Sequence, residues 1–301
     1  MATARCGGCV LSGDCRGCSI GLVEPGSIVY ASYVDPEAVG LYNTVPGGLV
    51  LRIVVPGAPP STPPGEWWGG LGNLRALAVR RVGVKRLAAL VESAKPDAVL
   101  VDGAEPLLID WVPELLERIE GVVRIVRSHA LAAASVLRSL SGLFEVLLLE
   151  YSRSLAWLGE HVSRLVVEAS SVLRGVEVYV RHDGGLWARR LLRHLAAAYP
   201  TSPLSLVVEG VAGYNPYEEV KTLRRVKPHT YLHGDTTYTL VDTLCVRCRN
   251  PLVSRKPWGV TVRAERGGDG SARCRTCRVK HPWVILPARR RKRLGRELMV
   301  L

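Results

Sequence analysis

The chain has 301 residues, of which 48% are hydrophobic and 22% are charged. This composition supplies enough apolar side chains for a sizeable core and excludes global disorder. No stretch of about 18 residues is free of charges and of Pro or Gly breaks, which excludes a transmembrane helix. Residues 1–16 lack the layout of a secretory signal and carry cysteines instead, so we expect a cytoplasmic protein.

The formal net charge of +13 is unevenly distributed along the chain. Residues 221–301 contain 20 Lys and Arg against five Asp and Glu, whereas the preceding 220 residues contain 20 basic and 22 acidic side chains. A basic region of this kind favours polyanion binding, because each cation that neutralises a phosphate releases a condensed counterion. A solubilising tail is the alternative interpretation.

Hydrophobic periodicity predicts a succession of strands and helices. Residues 26–33 alternate as an exposed strand does, and residues 48–55 form an apolar run typical of a buried strand. Later strands are predicted at 98–101, 122–126, 145–149, 164–168, 176–180, 205–209 and 230–233, and helices at 76–93, 111–119, 130–140, 155–161, 186–198 and 217–226. Repeated strand-then-helix units predict an α/β fold with parallel strands, as a layered sheet or a barrel.

All eight cysteines lie in C-x2-C pairs. Two such pairs supply the four thiolates of a tetrahedral metal site, which suits zinc or iron better than hard cations. The C-terminal group consists of Cys245, Cys248, Cys274 and Cys277. The 25 residues between its pairs can form a hairpin, with a strand at 260–262 and a turn at 267–270. This layout predicts a zinc ribbon, with disulfides as the alternative.

The N-terminal cysteines form a more compact group. They are Cys6, Cys9, Cys15 and Cys18, with only five residues between the two pairs. This spacing favours a second zinc site and is also compatible with a four-cysteine iron–sulfur cluster. We expect a small knob that is folded by its metal and has no chemistry of its own.

Polar residues follow several of the predicted strands. In a barrel of parallel strands, the loops at the carboxyl ends of the strands form the functional mouth. The segments at those ends are 56–68, 102–106, 127–129, 150–151 and 181–183, together with Gly210. The candidate residues in a pocket at the mouth are Trp67, Trp68, Asp102, Glu105, His129 and His182. Each has a structural alternative, because Asp102 fits a helix N-cap and a lone histidine is often a hydrogen-bonded core residue. The sequence has no Ser-His-Asp, HExxH, Walker or GxGxxG pattern.

Several short motifs occur in an order that carries a family resemblance. They are Asp35-Pro36, Leu41-Tyr42, Pro46-Gly47, the strand at 49–55, Gly57, Ala104-Glu105-Pro106 and Asp242-Thr243-Leu244-Cys245-x2-Cys248. In this order the chain resembles the radical S-adenosylmethionine superfamily, specifically relatives of the pyruvate formate-lyase activating enzyme in the AmmeMemoRadiSam group. The resemblance implies a partial (β/α) TIM-like barrel between an N-terminal cysteine knob and a C-terminal zinc ribbon. It also implies a [4Fe–4S] cluster on a C-x3-C-x2-C motif.

The resemblance stops at that cluster motif. Counted from Gly57, the three cysteine positions of the family fall on Ala58, Thr62 and Gly65, and Trp68 falls on the family's tryptophan. Methyl and hydrogen side chains cannot ligate iron, and a Thr hydroxyl is too weak an acid to replace a thiolate. We therefore expect the radical chemistry to be absent, although an inherited barrel mouth remains a concave pocket for a nucleoside.

These observations divide the chain into four predicted parts. The N-terminal knob and lead-in occupy 1–45, the degenerate barrel 46–240, the zinc ribbon 241–286 and the basic tail 287–301. Of the functions considered, we favour a non-catalytic module that binds RNA or a ribonucleoprotein through the ribbon and the tail.

The basic residues predicted to contact nucleic acid are Arg247, Arg249, Arg255, Lys256, Arg263, Arg266, Arg273, Arg275, Arg278, Lys280, Arg289, Arg290, Arg291, Lys292 and Arg293. Trp258, His281 and Trp283 are interleaved with them and offer stacking faces. Two other functions stay open. One is an enzyme that uses an iron–sulfur cluster on the N-terminal cysteines or new chemistry at the barrel mouth, and the other is a regulatory protein partner of an intact radical enzyme.

Overall fold

The protein is described by a computed structural model that covers residues 9, 23–56, 79–103, 105–200, 203–289 and 297–301. Several predicted features lie outside these described residues. They are the metal group formed with Cys6, Cys15 and Cys18, the loop with Gly57, Ala58, Thr62, Gly65, Trp67 and Trp68, Ala104, and the basic run Arg290, Arg291, Lys292 and Arg293. Cys9 is described and forms an isolated β-bridge with Ala132.

Strands and helices alternate through most of the described chain. The strands are β1 (Ser27–Ile28), β2 (Tyr30–Val34), β3 (Val50–Val55), β4 (Arg80–Arg81), β5 (Ala98–Gly103), β6 (Val123–Ser128), β7 (Val146–Tyr151), β8 (Gly175–His182), β9 (Leu204–Gly210), β10 (Thr230–Leu232), β11 (Thr243–Leu244), β12 (Pro251–Lys256), β13 (Gly259–Val262), β14 (Glu265–Arg266), β15 (Ser271–Arg273), β16 (Lys280–Ile285) and β17 (Leu298–Met299). The α-helices are α1 (Val84–Ala94), α2 (Val112–Arg118), α3 (Ala134–Leu140), α4 (Gly159–Val172), α5 (Leu186–Ala198) and α6 (Tyr217–Val226). Short 3-10 helices span Pro36–Val39, Pro106–Leu108 and Arg153–Leu158.

A mixed sheet of nine strands organises the described residues, in the order β10-β9-β8-β7-β6-β5-β3-β2-β17. The strands from β3 to β10 pair in parallel, whereas β2 and β17 run antiparallel to their neighbours. Helices follow the parallel strands, as right-handed crossover connections require. The predicted α/β class is therefore confirmed, while closure of the sheet into a barrel stays a prediction.

The central strands are buried on both faces, which explains their apolar, β-branched sequences. One face packs against the amphipathic helices, for example through Leu191, Leu192 and Leu195 of α5. We call the other face, which carries Leu100, Ile125 and Leu148, the inner face.

The lead-in segment covers part of the inner face. Leu41, Tyr42 and Val45 of this segment belong to the same buried cluster as the apolar side chains of the inner face. Gly40 allows the close approach, because it has φ +84° and a Cβ there would lie 2.4 Å from the Tyr179 ring. The lead-in is therefore part of the core of the sheet.

Some predicted elements are wrong. Residues 164–168 form no strand, because Leu165 and Val166 belong to the buried stripe of helix α4. Residues 26–33 are not an exposed strand, since β2 is paired on both sides and all of these residues except half-buried Tyr33 are buried.

Three predicted helices begin at other positions. Helix α3, predicted from 130, begins at Ala134. Helix α1 begins at Val84 and not at 76, because Arg80–Arg81 is a strand. The helix predicted at 155–161 is a 3-10 helix up to Leu158 and an α-helix from Gly159.

The cysteine ribbon is built from two small antiparallel sheets, β11-β12-β13 and β14-β15-β16. It is bonded to the main sheet at several points. The N–H of Ile285 donates to the carbonyl of Asn43 at 2.9 Å, and the Ile285 carbonyl accepts from the N–H of Val45 at 2.7 Å. The Trp283 indole donates to Nδ1 of His229 at 3.0 Å. The ribbon and the lead-in therefore pack as neighbours in one structure.

None of the helices in the described ranges has both the length and the apolar character that crossing a membrane requires. Helix α4, for example, has 14 residues.

Candidate functional site

The four C-terminal cysteines converge on one point. Their Sγ atoms all lie within 4.8 Å of one another. The Sγ atoms of Cys245 and Cys277 are 3.4 Å apart, and those of Cys248 and Cys274 are 3.5 Å apart. Thiolates at about 2.3 Å from a tetrahedral ion would lie about 3.8 Å from one another. This geometry fits four ligands of a single metal ion.

Each C-x2-C pair sits in a tight backbone turn, and the two turns match. The N–H of Arg249 donates to the carbonyl of Cys245 at 3.0 Å, and the N–H of Arg278 donates to that of Cys274 at 2.9 Å. Arg249 and Arg278 also share a left-handed backbone, with φ of 61° and 63°. The two turns therefore present their thiols in the same way.

The ribbon and the residues that follow it carry many exposed basic side chains. They are Arg247, Arg249, Lys256, Arg263, Arg266, Arg273, Arg275, Arg278, Lys280 and Arg289. Two of them are neutralised locally, since Arg278 pairs with Glu265 at 2.7 Å and Lys280 with Asp269 at 2.9 Å. Trp258 accompanies this basic surface as an aromatic side chain that is 83% exposed.

Three residues predicted for the nucleic-acid surface are buried or half-buried. Arg255 is buried, and its Nε donates to Glu37 at 3.0 Å, so it holds the ribbon to the lead-in and does not face solvent. His281 is fully buried. Trp283 is half-buried, and its indole N–H donates to His229. Of the three predicted stacking residues, Trp258 alone presents an open ring.

His281 lies in an unusual environment for a histidine. Neither ring nitrogen has a hydrogen-bond partner among the described residues, and burial lowers the pKa of the side chain to about 4. As the pH falls, His281 therefore binds a proton near pH 6.5 in the unfolded state but only near pH 4 in the folded state.

We expect this difference to make the protein less stable in mild acid. As the pH falls from 6.5 to 4, His281 alone should lower the free energy of unfolding by up to about 3 kcal/mol. His281→Phe should remove that contribution and keep a ring in place. Urea unfolding at pH 7 and pH 4.5 measures it, with His194→Gln as an exposed control. An equal acid dependence in wild type and His281→Phe would contradict the expectation.

A charged network lies on the inner face at the carboxyl ends of the strands. Asp102 accepts from Nε of Arg52 at 2.7 Å and from Nη1 of Arg127 at 3.0 Å. Burial by itself raises the pKa of Asp102, but the charges of Arg127 and Arg52 outweigh it and lower the pKa to about 2. Asp102 is thus a structural anion between two cations, and not the helix N-cap that its position also fits.

The network continues towards β10. Arg127 is 3.6 Å from Glu150, whose pKa burial raises to about 7 in spite of that cation. Further along, Arg181 pairs with Glu209 at 3.3 Å. These four side chains and Asp102 all lie on the inner face. Each is an even number of residues from an apolar inner-face residue of its own strand, and alternate side chains of a strand point to the same face.

Glu105 and His129 join the loops that follow β5 and β6. Glu105 accepts from the N–H groups of His129 at 2.9 Å and Leu131 at 3.2 Å, and its own burial raises its pKa to about 7. The ring of His129 contacts the carbonyl of Gly103 at 3.1 Å, and burial lowers its pKa to about 4. Both side chains are buried and hold the loops together, as the structural alternative predicts.

His182 is also a buried, hydrogen-bonded residue. Its Nδ1 accepts from the N–H of Gly184 at 2.9 Å, so Nε2 carries the proton and donates to Glu219 at 3.0 Å. Glu219 lies on helix α6, outside the inner face. Of the four described residues in the predicted pocket, only Asp102 belongs to the inner-face network.

Sequence reasoning missed Arg52 and Glu209 in this network. The segments at 127–129, 150–151 and 181–183 were marked by their position after strands, but Arg52 lies within the apolar run at 48–55 and Glu209 at the end of a predicted strand. A charged residue inside a strand that is buried on both faces was the available signal, because such a charge needs a partner on a neighbouring strand.

Comparison with known proteins does not place the chain in a family. No family model matches the sequence, and no curated protein matches it either. The resemblance to the radical S-adenosylmethionine superfamily therefore rests on the short motifs alone and stays a prediction.

Proposed function

We propose that the protein binds single-stranded RNA through the basic surface of its cysteine ribbon. The observation that carries this proposal is the position of Arg247 and Arg275, which lie within the two C-x2-C turns. One metal ion would hold both turns, and hence both arginines, at the same end of the ribbon. Neither arginine forms an ion pair within the described ranges, so both can meet phosphates.

The metal in this proposal is zinc. Four thiolates from two C-x2-C turns are the usual ligand set of a structural zinc site, with no position left open for a substrate. Zinc would therefore fix the shape of the basic surface and take no part in a reaction. The N-terminal cysteines supply a second site of the same ligand type in this proposal, with an iron–sulfur cluster as the alternative there.

Single-stranded RNA fits the surface better than duplex nucleic acid does. Trp258 projects its ring into solvent next to Lys256, in the turn between β12 and β13. An open aromatic ring beside a cation stacks on an unpaired base while the cation contacts the adjoining phosphate. Bases in a duplex are already stacked on one another and offer no such face.

The large sheet has a supporting role in this proposal. We interpret it as a partial (β/α) barrel of the radical-enzyme type in which the cluster chemistry is absent. Parallel pairing from β3 to β10, with helices packed on one face, supports that interpretation.

RNA binding can be tested by fluorescence anisotropy with a labelled single-stranded RNA, at several salt concentrations. The double variant Arg247→Ala/Arg275→Ala should bind about tenfold more weakly or worse, and its salt dependence should be shallower by about 1.4 in log K against log [salt]. That slope corresponds to the loss of two phosphate contacts.

A matched control removes two charges elsewhere. Lys85→Ala/Arg190→Ala changes exposed residues of α1 and α5 and should leave affinity and slope unchanged. Metal content and circular dichroism verify that every variant is folded. The proposal fails if wild type binds no RNA, if the two double variants bind equally well, or if affinity does not change with salt.

A further inference from the structure

A cavity of about 470 Å³ lies between the ribbon and the main sheet, at the amino ends of the parallel strands. It is on the opposite edge of the sheet from Asp102 and Glu150. Pro96 and Val122 form part of its wall on the sheet side, and Ile285 and Pro287 form part on the ribbon side. Three arginines also line it, of which Arg124 is paired with Glu145, whereas Arg174 and Arg266 form no ion pair among the described residues. Its volume falls within the usual range of small-molecule sites.

The two arginines are fixed by their Nε atoms. Nε of Arg174 donates to the carbonyl of Pro282 at 2.9 Å, and Nε of Arg266 donates to that of Leu286 at 3.3 Å. Both carbonyls belong to the same stretch of the ribbon. Because each guanidinium is held on its Nε side, the Nη side of each remains available for a ligand.

Nη2 of each of the two arginines lies beside Gly270. A Cβ on Gly270 would lie 3.2 Å from Nη2 of Arg266 and 3.9 Å from Nη2 of Arg174. Nη2 of Arg174 is buried and has no hydrogen-bond partner in the described part of the chain. Burial lowers the pKa of Arg174, and the nearby charge of Arg266 acts in the same direction. Two cations therefore face one small space that a glycine leaves open.

Four carboxylates also line the cavity, Asp97, Glu120, Glu145 and Asp269, and the two that act on Arg174 have other partners. Glu145 pairs with Arg124 at 2.6 Å, and Asp269 pairs with Lys280 at 2.9 Å and accepts from Ser271 Oγ at 2.7 Å. Glu145 and Asp269 both raise the pKa of Arg174, so they lie close enough to moderate its charge. Neither forms an ion pair with Arg174 or Arg266 among the described residues.

We propose that Arg174 and Arg266 form a binding site for a phosphate group. Two guanidinium groups whose Nη2 donors lie beside the same glycine match the oxygens of a phosphate, which also removes their mutual repulsion. The cavity has room for the remainder of a small phosphorylated molecule or for one nucleotide of a bound RNA. For an RNA ligand the inference rests on the proposed function, whereas for a free phosphate compound it stands alone.

Isothermal titration of the metal-loaded protein with inorganic phosphate, at constant ionic strength set by chloride, tests the site directly. Wild type should show saturable binding, and Arg174→Gln and Arg266→Gln should each weaken it about tenfold or more. Arg190→Gln removes an exposed charge on α5 and should leave it unchanged. Arg174→Lys and Arg266→Lys keep the charge without the planar fork and should also bind more weakly than wild type.

Competition between inorganic phosphate and labelled RNA identifies the source of the phosphate. Displacement of RNA from wild type, but not from the Gln variants, assigns the site to an RNA phosphate. Saturable phosphate binding without displacement assigns it to a small phosphorylated molecule.

Two results would overturn the inference: no saturable phosphate binding by wild type, or equal binding by wild type and the Gln variants. Circular dichroism and metal content verify the fold of each variant. Failure of wild type to bind any RNA, with saturable phosphate binding retained, would reject the proposed function and leave this site standing.

Discussion

Replacing Cys245 with Ser is expected to remove the metal from the ribbon and to unfold it. Cys245 is fully buried in the small core of the ribbon, together with Leu252 and Val253. That core is too small to be stable alone, and structural zinc sites supply about 10 kcal/mol or more of folding free energy in small domains. We expect the free energy of unfolding to fall by more than about 5 kcal/mol.

Elemental analysis of the purified protein and urea unfolding measure the two effects. Thr276→Ser changes a neighbouring position in the second turn while it keeps the hydroxyl that accepts from Asn250, so it serves as the matched control. Incubation of wild type with a strong chelator should reproduce the Cys245→Ser result. Full stability of Cys245→Ser without bound metal would show that the four cysteines do not fold the ribbon through a metal.

Arg255→Ala is expected to destabilise the protein by about 3–5 kcal/mol, because it leaves a buried carboxylate without its cation. The guanidinium donates to Glu37 at 3.0 Å, to the carbonyl of Val241 at 2.8 Å and to Thr243 Oγ1 at 3.1 Å. It also lies 4.9 Å from the centre of the Tyr42 ring. Arg255→Lys keeps one charge but cannot reach all of these acceptors, so we expect an intermediate loss.

Lys256→Ala, one position further along the same strand, provides the comparison. Lys256 is exposed, and its removal should change stability by less than about 0.5 kcal/mol. Thermal and urea unfolding of the three variants measure the difference. Similar stabilities for Arg255→Ala and Lys256→Ala would contradict the buried position of Arg255.

Local sequence patterns predicted most of the large sheet and its helices. The predicted helices at 186–198 and 217–226 match α5 and α6. Their apolar residues repeat with helical spacing, whereas the residues that flank them do not show this repeat. The prediction of a strand at 164–168 was wrong for a related reason. Its run Leu165-Val-Val167 is apolar and rich in valine, but Leu165 and Val166 belong to a longer helical stripe that also includes Val162 and Ala169.

Distant partners could not be predicted in the same way. Arg255 and its partner Glu37 are 218 residues apart, and no local pattern distinguishes this arginine from the exposed cations of the ribbon. His281 likewise lies in a basic segment but faces His229 and Trp283 in the interior. The four cysteines were predictable because their spacing alone specifies the chemistry.

The inner-face network contains some residues that could be predicted from the sequence and others that could not. Asp102 was found because it ends a strand, and its neighbours Arg127 and Glu150 fall in segments marked for the same reason. Arg52 was missed because the prediction of its strand rested only on the apolar residues. The register between strands decides which charges meet, and register depends on the pairing of the whole sheet.

The bonds between Ile285 and the segment that includes Asn43 and Val45 have a thermodynamic consequence. Residues 35–45 belong to the core of the main sheet, so loss of the ribbon would also loosen that cover. A metal ion that binds only the folded ribbon then stabilises the whole molecule by mass action, in proportion to the logarithm of its free concentration. The stability of this cover over the sheet would therefore rise with the supply of metal in the surroundings.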